Sequence, residues 1–254
     1  MWYYRILEGN RDEVLKLIKT GTDVSDTIAV LYCGICVTKI HVKEIFHATN
    51  LEEKNFDDFD MIDSKNFTSH LRKISKPTLI IANKVDVEGA DKNFVRLRAR
   101  YNDSIAIPVS GDNEFVLRRA EQKGLIKYSP GSETFKIIKS DELIKKQINA
   151  LNFIKKGIMG EYVRTGIQFT INVAVFKLLK MNSIYPVADE KNLTDKKGRV
   201  LSDLILLKDD ATINNLAKET HSDLTKGFLY GKDLRYNLRL PTDYQLRDRC
   251  YVSC

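Results

Sequence analysis

The middle of the chain alternates two short apolar segments with two amphipathic ones, and this pattern constrains the fold more than any other feature. Residues 78–82 and 104–109 are continuous apolar runs rich in β-branched residues, as expected of buried strands in a parallel sheet. Residues 91–101 and 113–123 have the spacing of amphipathic helices, and Gly124 suits the end of the second. Strand, helix, strand and helix with short links predict a βαβα unit.

Both predicted strands end in polar residues. The first ends in Asn83-Lys84-Val85-Asp86, and the second ends in Ser110-Gly111. In an open α/β sheet, ligands bind outside the carboxyl ends of the strands. An Asn-Lys-x-Asp motif in this position is typical of proteins that recognise guanine, so these residues are the first candidates for a binding site.

The chemistry of the motif suits guanine. Guanine carries hydrogen-bond donors at N1 and at its exocyclic N2, and the Asp86 carboxylate can accept from both. Bidentate contacts of this kind discriminate between bases by roughly 1–3 kcal/mol, and a base without the donor pair would leave the acceptors unpaired. Asn83 would brace the loop and reach the far edge of the base, and the aliphatic stem of Lys84 would cover one face of the ring. A backbone N–H of Ser110-Gly111 would donate to the base oxygen.

Two observations set limits on this prediction. A four-letter match with one free position arises by chance in a chain of this size on the order of a few per cent of the time. GTP hydrolysis also needs a GxxxxGK[ST] loop for the phosphates, and none of the 13 glycines opens one. The segment Asp86-Val-Glu-Gly89 matches the DxxG motif for magnesium and water, but it overlaps the guanine motif and we interpret it as a coincidence.

Charge and hydropathy narrow the classes of partner. The net charge of +7 is concentrated in residues 71–164, where 19 Lys and Arg stand against 11 Asp and Glu. This surplus beside the motif suits a nucleotide or RNA partner, although a solvated surface of mixed charge explains it equally well. The sequence has no run of eighteen apolar residues, so it predicts no membrane span. The first residues, MWYYRILEGNRDE, lack the apolar core of a signal peptide. We therefore expect a cytoplasmic protein without a membrane partner.

The four cysteines predict no metal or redox site. Cys33 and Cys36 have redox or half-zinc spacing, but they lie in the apolar segment LYCGICV without a second Cys or His pair. Nothing in the sequence shows that Cys250 and Cys254 meet them. We interpret the first pair as buried free thiols.

The remaining segments predict helices before the βαβα unit and an α+β module after it. Residues 1–75 have mainly helical spacing, and further helices are predicted over 141–156 and 168–181, separated by the glycines Gly157, Gly160 and Gly166. The predicted elements after residue 182 are strands at 184–187, 200–207, 227–230 and 251–252 and a helix at 212–220.

The chain resembles the C-terminal part of an Obg-related, YchF-like GTP-binding protein of the archaeal type. The matching stretches are RKISKPTLIIANKVD, VLRRAEQKGLIKYSPGS, IYPVADEKNLTDKKGRVL and HSDLTKGFLYGKDLR. The first seventy or so residues match least, with MWYYRIL resembling the start of the helical insertion of that family.

The resemblance implies a fold, a domain order and a ligand. The fold is an α/β partial P-loop GTPase domain of parallel strands and helices with a helical insertion, followed by an α+β ubiquitin-like β-grasp TGS domain. The implied boundaries are 1–75 for the insertion, 76–182 for the C-terminal half of the GTPase domain with linking helices, and 183–254 for the TGS domain. The implied ligand is a guanine nucleotide, with GTP favoured over ATP by the intact motif, and the implied partner is a ribosome or RNA. DNA is not expected.

The resemblance also implies what this segment would lack. The phosphate loop and both switch motifs would lie before Met1, so we expect that the chain alone does not hydrolyse GTP and that Mg²⁺ binds only with the missing phosphate-binding half. Pro241 stands where the family usually has glycine, and Cys250 stands where it usually has an acidic residue. An alternative is a non-enzymatic, ribosome- or RNA-binding TGS protein with a vestigial nucleotide site. Two parallel strands also leave an unpaired edge, which another polypeptide, rearranged helices or an upstream segment would cover.

Overall fold

The computed structural model describes residues 1–35, 37–195, 197–201, 203–220 and 229–253. The chain divides into two compact units, Met1–Thr78 and Leu79–Cys254. No helix within the described ranges combines the length and the apolar character needed to span a membrane.

The helices and strands follow in chain order. The α-helices are α1 (Trp2–Gly9), α2 (Arg11–Lys19), α3 (Val24–Leu31), α4 (Lys39–Thr49), α5 (Met61–Ser75), α6 (Ala90–Arg100), α7 (Gly111–Gln122), α8 (Lys145–Phe153), α9 (Met159–Tyr162), α10 (Ile167–Asn172) and α11 (Ile213–Thr220). The strands are β1 (Leu79–Asn83), β2 (Ile105–Val109), β3 (Ile126–Lys127), β4 (Lys136–Ile137), β5 (Met181–Pro186), β6 (Ile205–Lys208), β7 (Tyr230–Asp233), β8 (Leu238–Pro241) and β9 (Cys250–Ser253). Short 3₁₀-helices at Cys33–Ile35 and Phe56–Asp58 and π-helices at Ile154–Ile158 and Val173–Leu178 complete the set.

The first unit is a helical assembly, which confirms the prediction that residues 1–75 are mainly helical. Helices α1 to α5 bury a continuous apolar core that includes Leu7, Ile45 and Phe67, each with no exposed surface. The Phe46 and Phe67 rings lie 5.2 Å apart between their centroids inside this core. The Asp60 side chain caps α5 because it accepts hydrogen bonds from the first-turn amides.

The second unit begins with the predicted βαβα arrangement. Strands β1 and β2 pair in parallel, with Leu79 opposite Ile105 and Asn83 opposite Val109. Helices α6 and α7 follow the two strands, and each of these four elements lies within two residues of its predicted bounds. The prediction that β1 is buried is wrong, since 53% of Ile81 is exposed. Within the described residues β1 pairs with β2 alone, so one of its edges and part of its surface stay open.

The linking region is more irregular than predicted. Helix α8 passes into a π-helix and then into α9 without a break, so Gly157 and Gly160 do not interrupt the helical path. A glycine inside a helix costs only about 1 kcal/mol relative to alanine, which packing can offset. Of the three predicted breaks, only the one at Gly166 is observed, where the backbone turns between α9 and α10 with a φ of +90°. The β3–β4 hairpin was not predicted.

The last part of the second unit is a five-stranded mixed sheet with one helix against it. The strand order is β6-β5-β9-β7-β8, in which β5 and β9 are parallel and the other pairs are antiparallel. Ile184, Ile213, Leu216 and Val252 are fully buried in its core. The α+β prediction is therefore confirmed, but β6 is shorter than predicted and β8 was missed. Half of the strand predicted at 227–230 lies outside the described residues.

Candidate functional site

The carboxyl end of β1 is held to the start of α7 by the side chain of Asn83. Asn83 Oδ1 accepts a hydrogen bond from the Lys84 N–H at 2.8 Å and another from the Gly111 N–H at 3.1 Å. Lys84 has a φ of +68°, which is uncommon for a residue other than glycine. The Val85 N–H donates to the Val109 carbonyl at 3.2 Å, so the turn after β1 stays attached to β2.

The Asp86 carboxylate is held in place by a buried serine. The Ser110 hydroxyl donates to Asp86 Oδ1 at 2.6 Å and accepts from Asn113 Nδ2 at 2.7 Å. Ser110 is fully buried, whereas Asp86 is partly exposed. One oxygen of this carboxylate is therefore anchored from within the protein, and no hydrogen bond found among the described residues reaches the other.

The structure brings all five candidate residues together, but it changes the expected role of the backbone. Asn83, Lys84 and Asp86 meet Ser110 and Gly111 through the contacts described above. The amides of Ser110 and Gly111 already donate within the protein, to the Thr165 carbonyl and to Asn83 Oδ1.

Amides without an internal partner follow directly in the first turn of α7. Within the described residues, the Asp112 and Asn113 N–H groups make no hydrogen bond, as is usual for the first amides of a helix. These two amides are therefore the donors available at the start of α7.

Sequence reasoning missed a buried network beneath the candidate site. The Glu114 carboxylate, only 4% exposed, accepts hydrogen bonds from Arg118 Nε at 2.6 Å, from the Tyr128 hydroxyl at 2.7 Å and from the Thr165 hydroxyl. Burial alone would raise the pKa of Glu114, but the hydrogen bonds from these three donors outweigh it and hold the pKa below its ordinary value. Burial and the bond to Glu114 raise the pKa of Tyr128 to about 12.

An open groove of about 310 Å³ runs along β1 and α6, and its lining includes Asn83, Lys84, Phe94 and Leu97. Asp86 does not line it, and neither do the Ser110 and Gly111 positions. The groove therefore contains two of the five candidate residues and is not the place where all five meet.

In the part of the chain that the structure describes, the cysteines and the other metal-ligating side chains form no second site. Within the described residues, no group of three or more His, Cys, Asp and Glu side chains could hold a metal ion. Cys33 is a free thiol, as predicted, but it is exposed, so its predicted burial is wrong. The reason is local: the chain leaves α3 through a 3₁₀ turn at Cys33–Ile35, which turns this side chain outward while Tyr32 stays buried. Cys36 and Cys254 lie outside the described residues.

Cys250 occupies a buried polar position in the C-terminal sheet. The Arg235 guanidinium donates to Cys250 Sγ at 2.8 Å and to Asp233 Oδ2 at 3.0 Å. Burial raises the pKa of the Cys250 thiol. Burial would also raise the pKa of Asp233, but its hydrogen bonds to Arg235 hold that pKa below the ordinary value. The cluster links β7 to β9 and is structural in character.

Comparison with known proteins finds a matching family model and two GTP-binding proteins that resemble this chain. The model of the family described as "Obg-like GTPase YGR210-like, G4 motif-containing domain" matches residues 81–189, which include all five candidate residues. An uncharacterized GTP-binding protein of Methanocaldococcus jannaschii is 34% identical over 247 residues, which cover 97% of this chain and 61% of the relative. An uncharacterized GTP-binding protein of Schizosaccharomyces pombe is 25% identical over 155 residues, which cover 57% of this chain and 37% of the relative.

A solved structure resembles the chain along nearly its whole length. The crystal structure of a GTP-binding protein from Pyrococcus horikoshii superposes with a TM-score of 0.76 at 34% sequence identity. The match covers 99% of this chain and 67% of that protein. The chain spans less than two thirds of the length of the Methanocaldococcus and Schizosaccharomyces relatives.

Proposed function

Since the chain belongs to the Obg-like family of GTP-binding proteins, we propose that it binds a guanine nucleotide at the ends of β1 and β2. The observation that carries the proposal is the 2.6 Å hydrogen bond from the Ser110 hydroxyl to Asp86 Oδ1. This bond fixes a carboxylate at the carboxyl ends of two parallel strands, where ligands bind in open α/β sheets.

Asp86 is the residue that distinguishes guanine from adenine. Its carboxylate accepts hydrogen bonds from N1–H and the exocyclic amine of guanine, and adenine has no such donor pair. A carboxylate already oriented by Ser110 loses little conformational entropy on binding, which favours discrimination of about 1–3 kcal/mol. Asn83 holds the loop through its two backbone contacts, and its amide nitrogen is directed to the far edge of the base in this proposal.

The backbone and Lys84 complete the contact with the base. Lys84 lies in the turn directly after β1, and in this proposal its aliphatic stem covers one face of the ring while the ammonium stays in water. The donor to the base oxygen is an amide at the start of α7, where the Asp112 and Asn113 N–H groups have no internal partner among the described residues. The positive end of the α7 dipole adds to this interaction.

Phosphate binding and hydrolysis need parts that the 254 residues do not contain. No GxxxxGK[ST] segment is present in the sequence, so contacts to the phosphates and to Mg²⁺ come from a separate phosphate-binding half in this proposal. This chain alone then binds GTP weakly and does not turn it over. The boundary of the nucleotide-binding part is proposed as 76–182, after a helical insertion at 1–75.

We extend the proposal to a role in translation. The five-stranded mixed sheet with α11 against it supports a ubiquitin-like β-grasp TGS domain at 183–254. Such a module would attach the nucleotide-binding part to a ribosome or another RNA in the cytoplasm.

A second candidate function rests on the surface of α6. This helix exposes Lys92, Arg96, Arg98 and Arg100 and buries no residue. Such a cationic helix favours a non-enzymatic protein that docks on RNA phosphates, with a vestigial base site. Its affinity for ribosomes would fall steeply with salt, because phosphate contacts release counterions.

Calorimetric titration with GTP, GDP and ATP tests the first proposal, with Asp86→Asn as the variant. An asparagine keeps one acceptor oxygen and replaces the other by a donating NH₂. Guanine affinity should therefore fall on the order of tenfold or more, while xanthine nucleotides, which carry an oxygen in place of the exocyclic amine, gain. Asp209→Asn, an exposed carboxylate in the same unit, is the matched control and should change nothing. Equal affinity of the unaltered chain for GTP and ATP would contradict the proposal. Salt-sensitive sedimentation with ribosomes that is unaffected by Asp86→Asn would then favour the alternative.

A further inference from the structure

The backbone between α9 and α10 is strained directly behind the guanine site. This 163–166 segment begins with Val163 at a φ of +68° and ends with Gly166 at +90°. A β-branched residue with positive φ is a true outlier, and such strain persists only where surrounding contacts impose it. Two residues of the same segment, Thr165 and Gly166, contact Ser110 and the end of β2.

The first contact is made by the backbone of the 163–166 segment. The Thr165 carbonyl accepts the Ser110 N–H at 2.8 Å. A Cβ on Gly166 would lie 2.3 Å from the Pro108 carbonyl oxygen and 3.0 Å from Val109 Cγ2. The 163–166 backbone therefore packs directly against the end of β2. The position of Ser110, whose hydroxyl holds Asp86, depends on this packing.

The second contact is made by the Thr165 side chain. Thr165 is only 1% exposed, and its hydroxyl donates to the Glu114 carboxylate. Glu114 stands one helical turn after Ser110 in α7 and is also bonded to Arg118 and Tyr128. The Glu114 carboxylate thus holds the Thr165 side chain, and the Thr165 carbonyl holds the Ser110 amide.

We propose that Thr165 and Glu114 are positioning residues for guanine specificity, acting on Asp86 through Ser110. The inference rests on the proposed function, because it concerns the same site. Neither residue touches the base. Their role is to keep the Ser110 hydroxyl directed at Asp86, so that both carboxylate oxygens face the donors of guanine. If the 163–166 segment moves away, the carboxylate rotates and the contact to the exocyclic amine is lost first.

The test compares GMP with IMP, which lacks only the exocyclic amine, by amide chemical-shift titration of the full chain. Thr165→Val removes the hydroxyl and keeps the shape, and we expect the ratio of GMP to IMP affinity to fall roughly fivefold. Thr165→Ser keeps the donor and should restore the ratio. Thr68→Val is the matched control: Thr68 is similarly buried, donates only to backbone carbonyls of its own helix, and lies in the first unit.

The outcomes separate this inference from the proposed function. A preference for GMP over IMP that Thr165→Val leaves intact in a folded protein would overturn the positioning role alone. No preference for GMP over IMP or AMP in the unaltered chain would overturn the proposed function and, with it, this inference. If Thr165→Val does not fold, Glu114→Gln takes its place, because it keeps the side-chain volume and weakens the acceptor. The same fall in the GMP to IMP ratio is expected there.

Discussion

Replacing Gly166 by alanine should loosen the proposed guanine site, and the structure gives the magnitude. The new Cβ would meet a backbone carbonyl oxygen at 2.3 Å and Val109 Cα at 3.1 Å, and neither atom can rotate away. Overpacking of this kind costs about 1–3 kcal/mol. An alanine forced to a positive φ adds about 1 kcal/mol. The free energy of unfolding should therefore fall by about 3 kcal/mol.

Gly124→Ala separates these two contributions. Gly124 also has a positive φ, +68°, but a Cβ at this position would have no atom of a non-neighbouring residue within 4 Å, so only the backbone cost of about 1 kcal/mol applies. Urea unfolding followed by far-UV circular dichroism measures both variants. Hydrogen exchange of the Ser110 amide measures the local opening, which should be roughly thirtyfold more frequent in Gly166→Ala than in Gly124→Ala. Equal losses in the two variants would refute the close approach of the 163–166 segment to β2.

Three further predictions concern separate parts of the molecule. Because the pKa of Glu114 is held low, its contribution to stability is present above the ordinary glutamate pKa and is lost as the pH falls through the lower folded value. The gap in urea midpoint between the unaltered chain and Glu114→Gln should therefore narrow from pH 6 to pH 3, and a constant gap would contradict this. With the other two cysteines replaced by serine, iodoacetamide should alkylate the exposed Cys33 in the folded protein and reach the buried Cys250 only after unfolding, as intact-mass measurement would show. Phe67→Ala should destabilise the first unit by about 3–5 kcal/mol, because the ring is fully buried and cannot be replaced by water, and a loss below about 1 kcal/mol in thermal unfolding would contradict that burial.

The parts of the fold that the sequence predicted are those with a local signal. Strands β1 and β2 are continuous apolar runs, and α6 and α7 have clear helical periodicity, so their positions follow from nearby residues alone. The β3–β4 hairpin has two residues in each strand, too few for any period to show. Strand β8 ends in Pro241, a residue that argues against a strand except at the edge of a sheet, and β8 is an edge strand.

Burial was harder to predict than secondary structure, because burial depends on neighbours far along the chain. The composition of β1 is that of a strand covered on both faces, yet Ile81 is half exposed, since β1 has one strand neighbour among the described residues. Cys33 shows the same limit at a smaller scale. Its apolar context predicted a buried thiol, and a single 3₁₀ turn placed it outside.

The same difference between local signals and long-range contacts applies to the candidate site. Asn83, Lys84 and Asp86 form a recognisable motif because proteins that recognise guanine carry these residue types at fixed spacing on one turn. Thr165 has no such signature, since its contact with Glu114 joins residues 51 positions apart. A glutamate on an amphipathic helix also carries no local sign that it faces inward.

Because Thr165 bonds to Ser110 and Glu114, the smallest part of the chain that should recognise guanine is larger than the motif and its loop. The motif and the Ser110 loop lie within β1 to α7, and a piece ending after α7 would contain every residue that touches the base in our proposal. It would lack the Thr165 carbonyl that accepts the Ser110 amide, and it would leave the Glu114 carboxylate without two of its three donors. A buried carboxylate deprived of its partners is costly and tends to draw water or take up a proton. Because the orientation of Asp86 depends on Ser110, specificity for guanine should be a property of β1 through α10 and not of the motif alone.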